Sequence, residues 1–232
     1  MKKIYNLILI FILIINSNCA TIQKKIKYSE YNSKFFKILK ENKIKNIFIA
    51  KFYSLENKED IETKITSLFE SNISKIENNY LTIIKDKELN KNLRNNYPQL
   101  SKIFNDIDIF KGINNIDAVI IGEIGKIEIE NKKEYFSQDY RYNLIKIYVR
   151  IPVCLYLFST KDSRLIWSTL KSGFTMKQWI ENLQYQLNTS PLEIYSKTPG
   201  GLKNTKKYSN EELINLAIDK LINKLMEEIT NI

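Results

Sequence analysis

Two cysteines, 26 acidic side chains and no histidine make up the reactive inventory of this 232-residue chain. Without an imidazole there is no Ser-His or Cys-His couple, no His-ligated zinc and none of the commonest general base. The acids are scattered over helix faces and loops, with no nucleophile elbow, zinc signature or phosphate loop around them. No catalytic, metal or cofactor residue is therefore assigned, and a carboxylate pair assembled from distant positions is the one enzymatic route left open. Cys154 lies within "VRIPVCLYLF", a setting for a small buried hydrophobe rather than a reactive thiol. Cys19 is different: in "IINSNCATIQKK" its thiol stands where an apolar run gives way to lysines.

The residues before Cys19 explain that position. Lys2 and Lys3 form a positive end, and Ile4 to Ile15 form an apolar run broken by Tyr5 and Asn6, too short for the ~20 residues of a membrane-spanning helix. Asn16, Ser17 and Asn18 follow. The arrangement resembles a bacterial lipoprotein signal, which implies that residues 1–18 are removed and that Cys19 is acylated as the new N-terminus. It departs from the usual pattern at Asn18, where Gly or Ala is customary. A lipidated Cys19 leaves Cys154 without a disulfide partner, so stability must come from a core, which a content of 44% hydrophobic and 12% aromatic residues can supply.

The formal charge is +10, or +8 once Lys2 and Lys3 have left with the signal. In an exported chain that balance points to anionic lipid headgroups or acidic wall polymers rather than nucleic acid. Nine lysines fall between residues 24 and 51, and an acyl chain beside a basic segment makes a two-signal membrane attachment. Heavy use of Ile, Asn and Lys, as an AT-rich genome produces, accounts for a lysine-rich surface equally well.

Apolar spacing gives a mixed α and β order. Residues 33–42 form a helix by Phe35, Phe36, Ile38 and Leu39, lying on the domain or on the membrane, and 45–53 form a strand. Ile61, Ile65, Leu68, Phe69, Ile73 and Ile76 mark a long amphipathic helix. A strand at 80–85 leads to Asp86, which caps a short helix, and 98–110 is a third helical candidate, starting after a proline suited to its first turn. Residues 117–130 begin as a buried strand whose Gly122 and Gly125 serve close packing or a bulge. In 144–158, Ile145, Ile147, Val149, Ile151, Val153, Leu155 and Leu157 share one face, and Pro152 implies an edge or a bulge. Residues 164–174 return antiparallel. The stretch 175–208 reads as irregular, with a helix around "MKQWIENLQYQL". Ser209 and Glu212 match a capping box ahead of a C-terminal stripe of Leu213, Leu216, Ala217, Leu221, Leu225 and Ile229.

This order resembles the core shared by CsgG-type curli secretion lipoproteins and LpoB-type penicillin-binding-protein activators over roughly residues 44–230. It is carried by Phe52 closing the first strand, Asp117 five residues before Gly122, and a strand-turn-strand ending in Ile166-Trp167-Ser168. Ser163 stands where the family turn has Gly. The resemblance implies an α/β (α+β) fold, a single mixed sheet with helices packed on it and a C-terminal amphipathic helix. The chain divides into a signal (1–18), a lipidated tether with a short basic helix (19–43) and the domain (44–232). At ~3.5 Å per residue, residues 20–30 reach at most ~40 Å, so the domain stays near the membrane that holds it.

The expected function is a lipid-anchored, non-catalytic protein on the periplasmic side of the cell membrane or outer membrane. It docks onto envelope assembly or cell-wall machinery through the exposed side of its sheet or through aromatic anchors. The candidate anchors are Tyr135, Phe136, Tyr140 and Tyr142 in a hairpin at 126–143, and Trp179, Tyr185 and Tyr195, with core filling the alternative for Trp179. A homo-oligomeric secretion subunit is the second expectation, and a carboxylate-dependent wall enzyme the third. Neither hairpin arm, taken as 126–134 and 135–143, carries the uninterrupted apolar face of a lipid-facing strand.

Overall fold

The structure is a computed structural model and describes residues 33–76, 81–135, 142–182 and 207–230. Its elements in order are α1 (Lys34–Glu41), β1 (Asn46–Ile49), β2 (Tyr53–Ser54), α2 (Glu59–Ile73), β3 (Thr82–Ile84), α3 (Lys87–Asn96) and α4 (Leu100–Asn105). A 3₁₀ turn at Ile107–Phe110 leads to β4 (Ala118–Ile124), β5 (Glu128–Tyr135), β6 (Tyr142–Ser159), β7 (Leu165–Asn182) and α5 (Asn210–Thr230). The seven strands form one open mixed sheet ordered β3-β1-β4-β6-β5, with β2 beside β4 and β7 beside β6. Pairing is parallel among β1, β2, β3 and β4, and antiparallel wherever β6 takes part.

Helices cover both faces of the parallel half. On one face, α2 buries Ile61, Ile65, Phe69 and Ile73, a four-residue spacing that keeps them on one side, and Phe69 meets Phe52 at 5.6 Å. The same face carries α5, which buries Leu213, Ala217, Ile218, Leu221, Ile222, Leu225 and Ile229. Its first turn is held by the expected reciprocal cap: Ser209 N–H donates to Glu212 Oε2 (2.8 Å), and Glu212 N–H donates to Ser209 Oγ (3.1 Å). On the opposite face, α3, α4 and the 3₁₀ turn bring Leu93, Leu100, Ile103 and Phe110 onto Phe48, Val119, Ile121 and Phe158. Asp86 caps α3 by accepting from Leu89 N–H.

Of the two places open to the first helix, the structure takes the domain. Phe35, Phe36 and Leu39 are fully buried, Phe35 meets Trp167 edge-on at 5.0 Å, and Ser33 Oγ donates to Ile229 O at the far end of the chain. Gly122 and Asp117 both make close contacts with the region of the first strand. A Cβ on Gly122 would sit 2.3 Å from the Phe52 ring, and Asp117 accepts from Lys45 N–H (2.9 Å) and Asn46 N–H (2.8 Å) where β1 begins.

Several expectations are corrected. The strand at 45–53 is interrupted, because Lys51 N–H donates to Asn90 and Phe52 N–H to Thr66 instead of to a neighbouring strand. Pro98 precedes α4, whose N-cap is Gln99, and the helical stretch 98–110 breaks at Asp106, which has φ −129°. Pro152 lies inside a strand flanked on both sides. Gly125 N–H donates to Pro152 O at the gap between β4 and β5, so the missing proline donor falls where the ladder changes partners. Over the described part of the stretch after Thr175 there is no helix: β7 continues to Asn182 and pairs residue by residue with Tyr142–Val149, while residues 183–206 lie outside the described residues. The partner of β5 is likewise the start of β6, from Asn143 to Arg150, and not 135–143.

The β6–β7 turn holds a strained serine. Ser163 has φ 54°, a left-handed conformation that costs a residue with a Cβ, and its buried hydroxyl has no hydrogen-bond partner among the described residues. Ser163→Gly is expected to stabilise the chain by about 1 kcal/mol, the relief of strain and of the orphaned hydroxyl outweighing the added freedom of the unfolded chain. A urea midpoint equal to or below that of the unchanged chain would contradict this.

Candidate functional site

On the face away from α5, helical cover stops at the antiparallel half. Pleating sends Tyr148, Arg150, Pro152, Cys154 and Tyr156 of β6 to this face, and the register places Leu170, Ser172, Phe174 and Met176 of β7 beside them. Tyr156 marks the border, since the Phe104 ring of α4 meets it edge-on at 5.0 Å and its hydroxyl donates to Glu123 (3.3 Å). Beyond it no helix among the described residues lies over the face.

That open face is apolar along β7 and carries ion pairs between β6 and β5. Leu170, Phe174 and Met176 are 66%, 45% and 44% exposed, and Tyr148 lies tilted against Phe174 at 6.3 Å. On β5, Lys132 holds its ammonium 5.4 Å from the Tyr148 ring, Glu128 faces Arg150 at 3.7 Å, and Glu134 accepts from Lys146 at 2.7 Å. The hydrogen bond to Glu134 holds the Lys146 ammonium above its ordinary pKa. Burial pushes the Cys154 thiol up, so at neutral pH it is a protonated, weakly polar part of the patch rather than a nucleophile. Burial likewise raises the Tyr156 phenol. Such a surface offers rigid aromatic and thioether contacts beside a row of ion pairs, features a protein-binding patch uses.

The anchors named from sequence are distributed differently. Tyr135 closes β5 and Tyr142 opens β6, while Phe136, Tyr140, Tyr185, Tyr195 and the Cys19 lipidation site lie outside the described residues. Trp179 is only 5% exposed and packs near Tyr208, with ring centroids 6.4 Å apart, in the core-filling position. The sequence anticipates an exposed side of the sheet, but reading it alone misses Leu170, Phe174 and Met176. Their alternation with the buried positions Trp167, Gly173, Thr175 and Trp179 is the signal that could have found them.

A second feature joins α2, α3 and β2. Arg94 donates through Nη2 to Glu62 Oε2 (2.7 Å) and to Phe52 O, and its guanidinium stacks 4.1 Å from the Tyr53 ring. Glu62 Oε1 accepts from Ser54 N–H at 2.7 Å, and burial pushes the Tyr53 phenol up. Both oxygens of Glu62 are thus spent on holding the fold. Burial raises the Glu70 carboxyl above the usual range, with Lys85 acting in the opposite direction. Among the described residues no second acid lines the crevice in which it sits.

No family model and no curated protein sequence matches the chain. Among solved structures it is similar to the lipoprotein GNA1162 from Neisseria meningitidis at 10% identity and a TM-score of 0.39, covering 79% of this chain and 99% of that one. It is also similar to a neuraminyllactose-binding hemagglutinin homolog from Helicobacter pylori at 13% identity and a TM-score of 0.45, covering 81% and 84%. A minor lipoprotein from Acinetobacter baumannii follows at 11% identity and a TM-score of 0.32, covering 81% and 92%. At these scores the likeness says nothing about what this chain binds or does.

Proposed function

We propose that this chain is a bacterial envelope lipoprotein, acylated at Cys19, whose non-catalytic domain docks onto envelope assembly or cell-wall machinery through the open face of its β5–β6–β7 extension. The observation that carries the docking reading is the exposed strip of Leu170, Phe174 and Met176 beside Tyr148, bordered by ion pairs. The anchor rests on the sequence around Cys19 and on its resemblance to a lipoprotein signal. A secretion pore is disfavoured by the extension itself: β5 alternates Glu128, Glu130, Lys132 and Glu134 with Ile129, Asn131 and Lys133, so neither face gives a strand-long apolar band for lipid.

The test is photo-crosslinking in native membranes with a crosslinking residue placed at Phe174, and a control at exposed Lys220 on α5. A protein partner recovered repeatedly from Phe174 and not from Lys220 is expected, with Cys19→Ala abolishing fatty-acid labelling. Recovery of lipid alone, or of the same proteins from both positions, would sink the docking surface; recovery of this chain itself would replace it with a homo-oligomer.

A further inference from the structure

The chain leaves β1 by way of β2 towards α2 on one face of the sheet, and leaves the neighbouring β3 towards α3 on the other. Where adjacent parallel strands send their connections to opposite faces, their carboxyl ends part and leave a crevice, the place where open α/β sheets take small ligands. Here the crevice encloses about 310 Å³ and is walled by Lys51 after β1, by Ser67 and Glu70 of α2, and by Asn90, Lys91 and Arg94 of α3. We propose that it binds a small solute through a carboxylate or phosphate group.

The charges support an oxyanion. Lys51, Lys91 and Arg94 line the walls with the one carboxylate of Glu70; Glu59 and Glu62, outside the walls, pair with Lys51 and Arg94, so among the described residues Lys91 is the uncommitted cation. Arg94 is already seated by Glu62, which fixes a guanidinium in the wall with little side-chain freedom left to lose, and its Nε–H is buried with no partner among the described residues. Lys51 spends its ammonium at 2.8 Å on Glu59, whose side chain is 84% exposed, an ion pair of the kind worth little in water and readily exchanged for a ligand. Lys91 makes no ion pair, and Ser67 no side-chain hydrogen bond, among the described residues. Asn90 braces the site by accepting from Lys51 N–H at 2.9 Å, which ties the β1 exit to α3. The volume lies at the small end of ligand pockets, which fits a compact di- or tricarboxylate or a phosphate ester and not a polymer.

Isothermal titration of the full chain in detergent micelles, with citrate, inorganic phosphate and glycerol phosphate at constant ionic strength, tests this. Saturable binding of at least one probe is expected, with Lys91→Gln weakening it by about tenfold as a charge-assisted hydrogen bond is lost. Ser67→Ala should weaken it less, and Lys126→Gln, away from the crevice, should leave it unchanged. Absence of saturable binding by all three probes, or identical affinity in Lys91→Gln and the unchanged chain, would overturn the assignment. Repeating the titration in nanodiscs with and without phosphatidylglycerol identifies the source: weaker phosphate binding beside the anionic lipid assigns the site to a headgroup, and equal binding assigns it to a free solute.

Discussion

Gly173→Val should cost about 3 kcal/mol or more and separate α5 from the sheet. Gly173 lies on β7 opposite Ile151, directly beneath the helix. A Cβ there would stand 2.0 Å from Ala217 O, 2.9 Å from Ala217 C and 2.8 Å from Leu221 Cβ. Two of those atoms belong to helix backbone, so no rotamer change relieves the clash and the helix must lift. Lifting it exposes residues from Leu213 to Ile229 whose burial holds that face together. Overpacking a core typically costs about 1–3 kcal/mol, and a backbone collision sits at or above the top of that range. Set against a whole-domain stability of roughly 5–15 kcal/mol, the loss is a large fraction. Urea unfolding followed by circular dichroism gives the reading, and a midpoint unchanged from that of the parent would show that α5 does not pack as described. Gly125→Ala is the milder comparison, because its Cβ would meet the Pro152 ring at 2.9 Å, a side-chain atom in a less crowded place.

Arg94→Met is expected to cost about 3 kcal/mol, through the charge it leaves behind more than through the contacts it removes. Glu62 has a side chain only 6% exposed, and without the guanidinium its carboxylate keeps just the Ser54 N–H as a partner among the described residues. Phe52 O loses its donor and the Tyr53 ring its cation at the same stroke. Arg94 itself is 23% exposed, so part of its attraction is screened and the lower end of the range for broken buried pairs applies. Adding Glu62→Gln to the same chain should restore about half the loss, since an amide oxygen still accepts from Ser54 and carries no buried charge. If the double variant is as unstable as the two single losses added together, the pair is not energetically coupled.

Much of this architecture can be read from spacing. The four-residue steps of α2, the capping box of α5 and the alternation of β6 each reflect a local rule that tertiary packing leaves intact. The second half of β7 cannot, because "MKQWIEN" has no apolar run and becomes a strand only by pairing with Tyr142–Val149. The interruption between β1 and β2 is hidden for a similar reason: it depends on Asn90 and Thr66, 39 and 14 residues away, capturing backbone donors that a strand would otherwise share. The docking strip is half visible as an exposed side of the sheet, but which residues line it follows only from the β6–β7 register. The crevice is not visible at all. Lys51, Ser67 and Lys91 are ordinary residues in a lysine-rich chain, and only the divergence of two strand exits sets them around one space.

The seating of α1 has a consequence for how the molecule is made. Its Phe35 closes against Trp167, and the hydroxyl that precedes the helix reaches Ile229, 196 positions later. The first helix of the domain therefore has no home until the ribosome has delivered the last one. The docking of α1 is thus a late, long-range step, slow by the logic of loop closure.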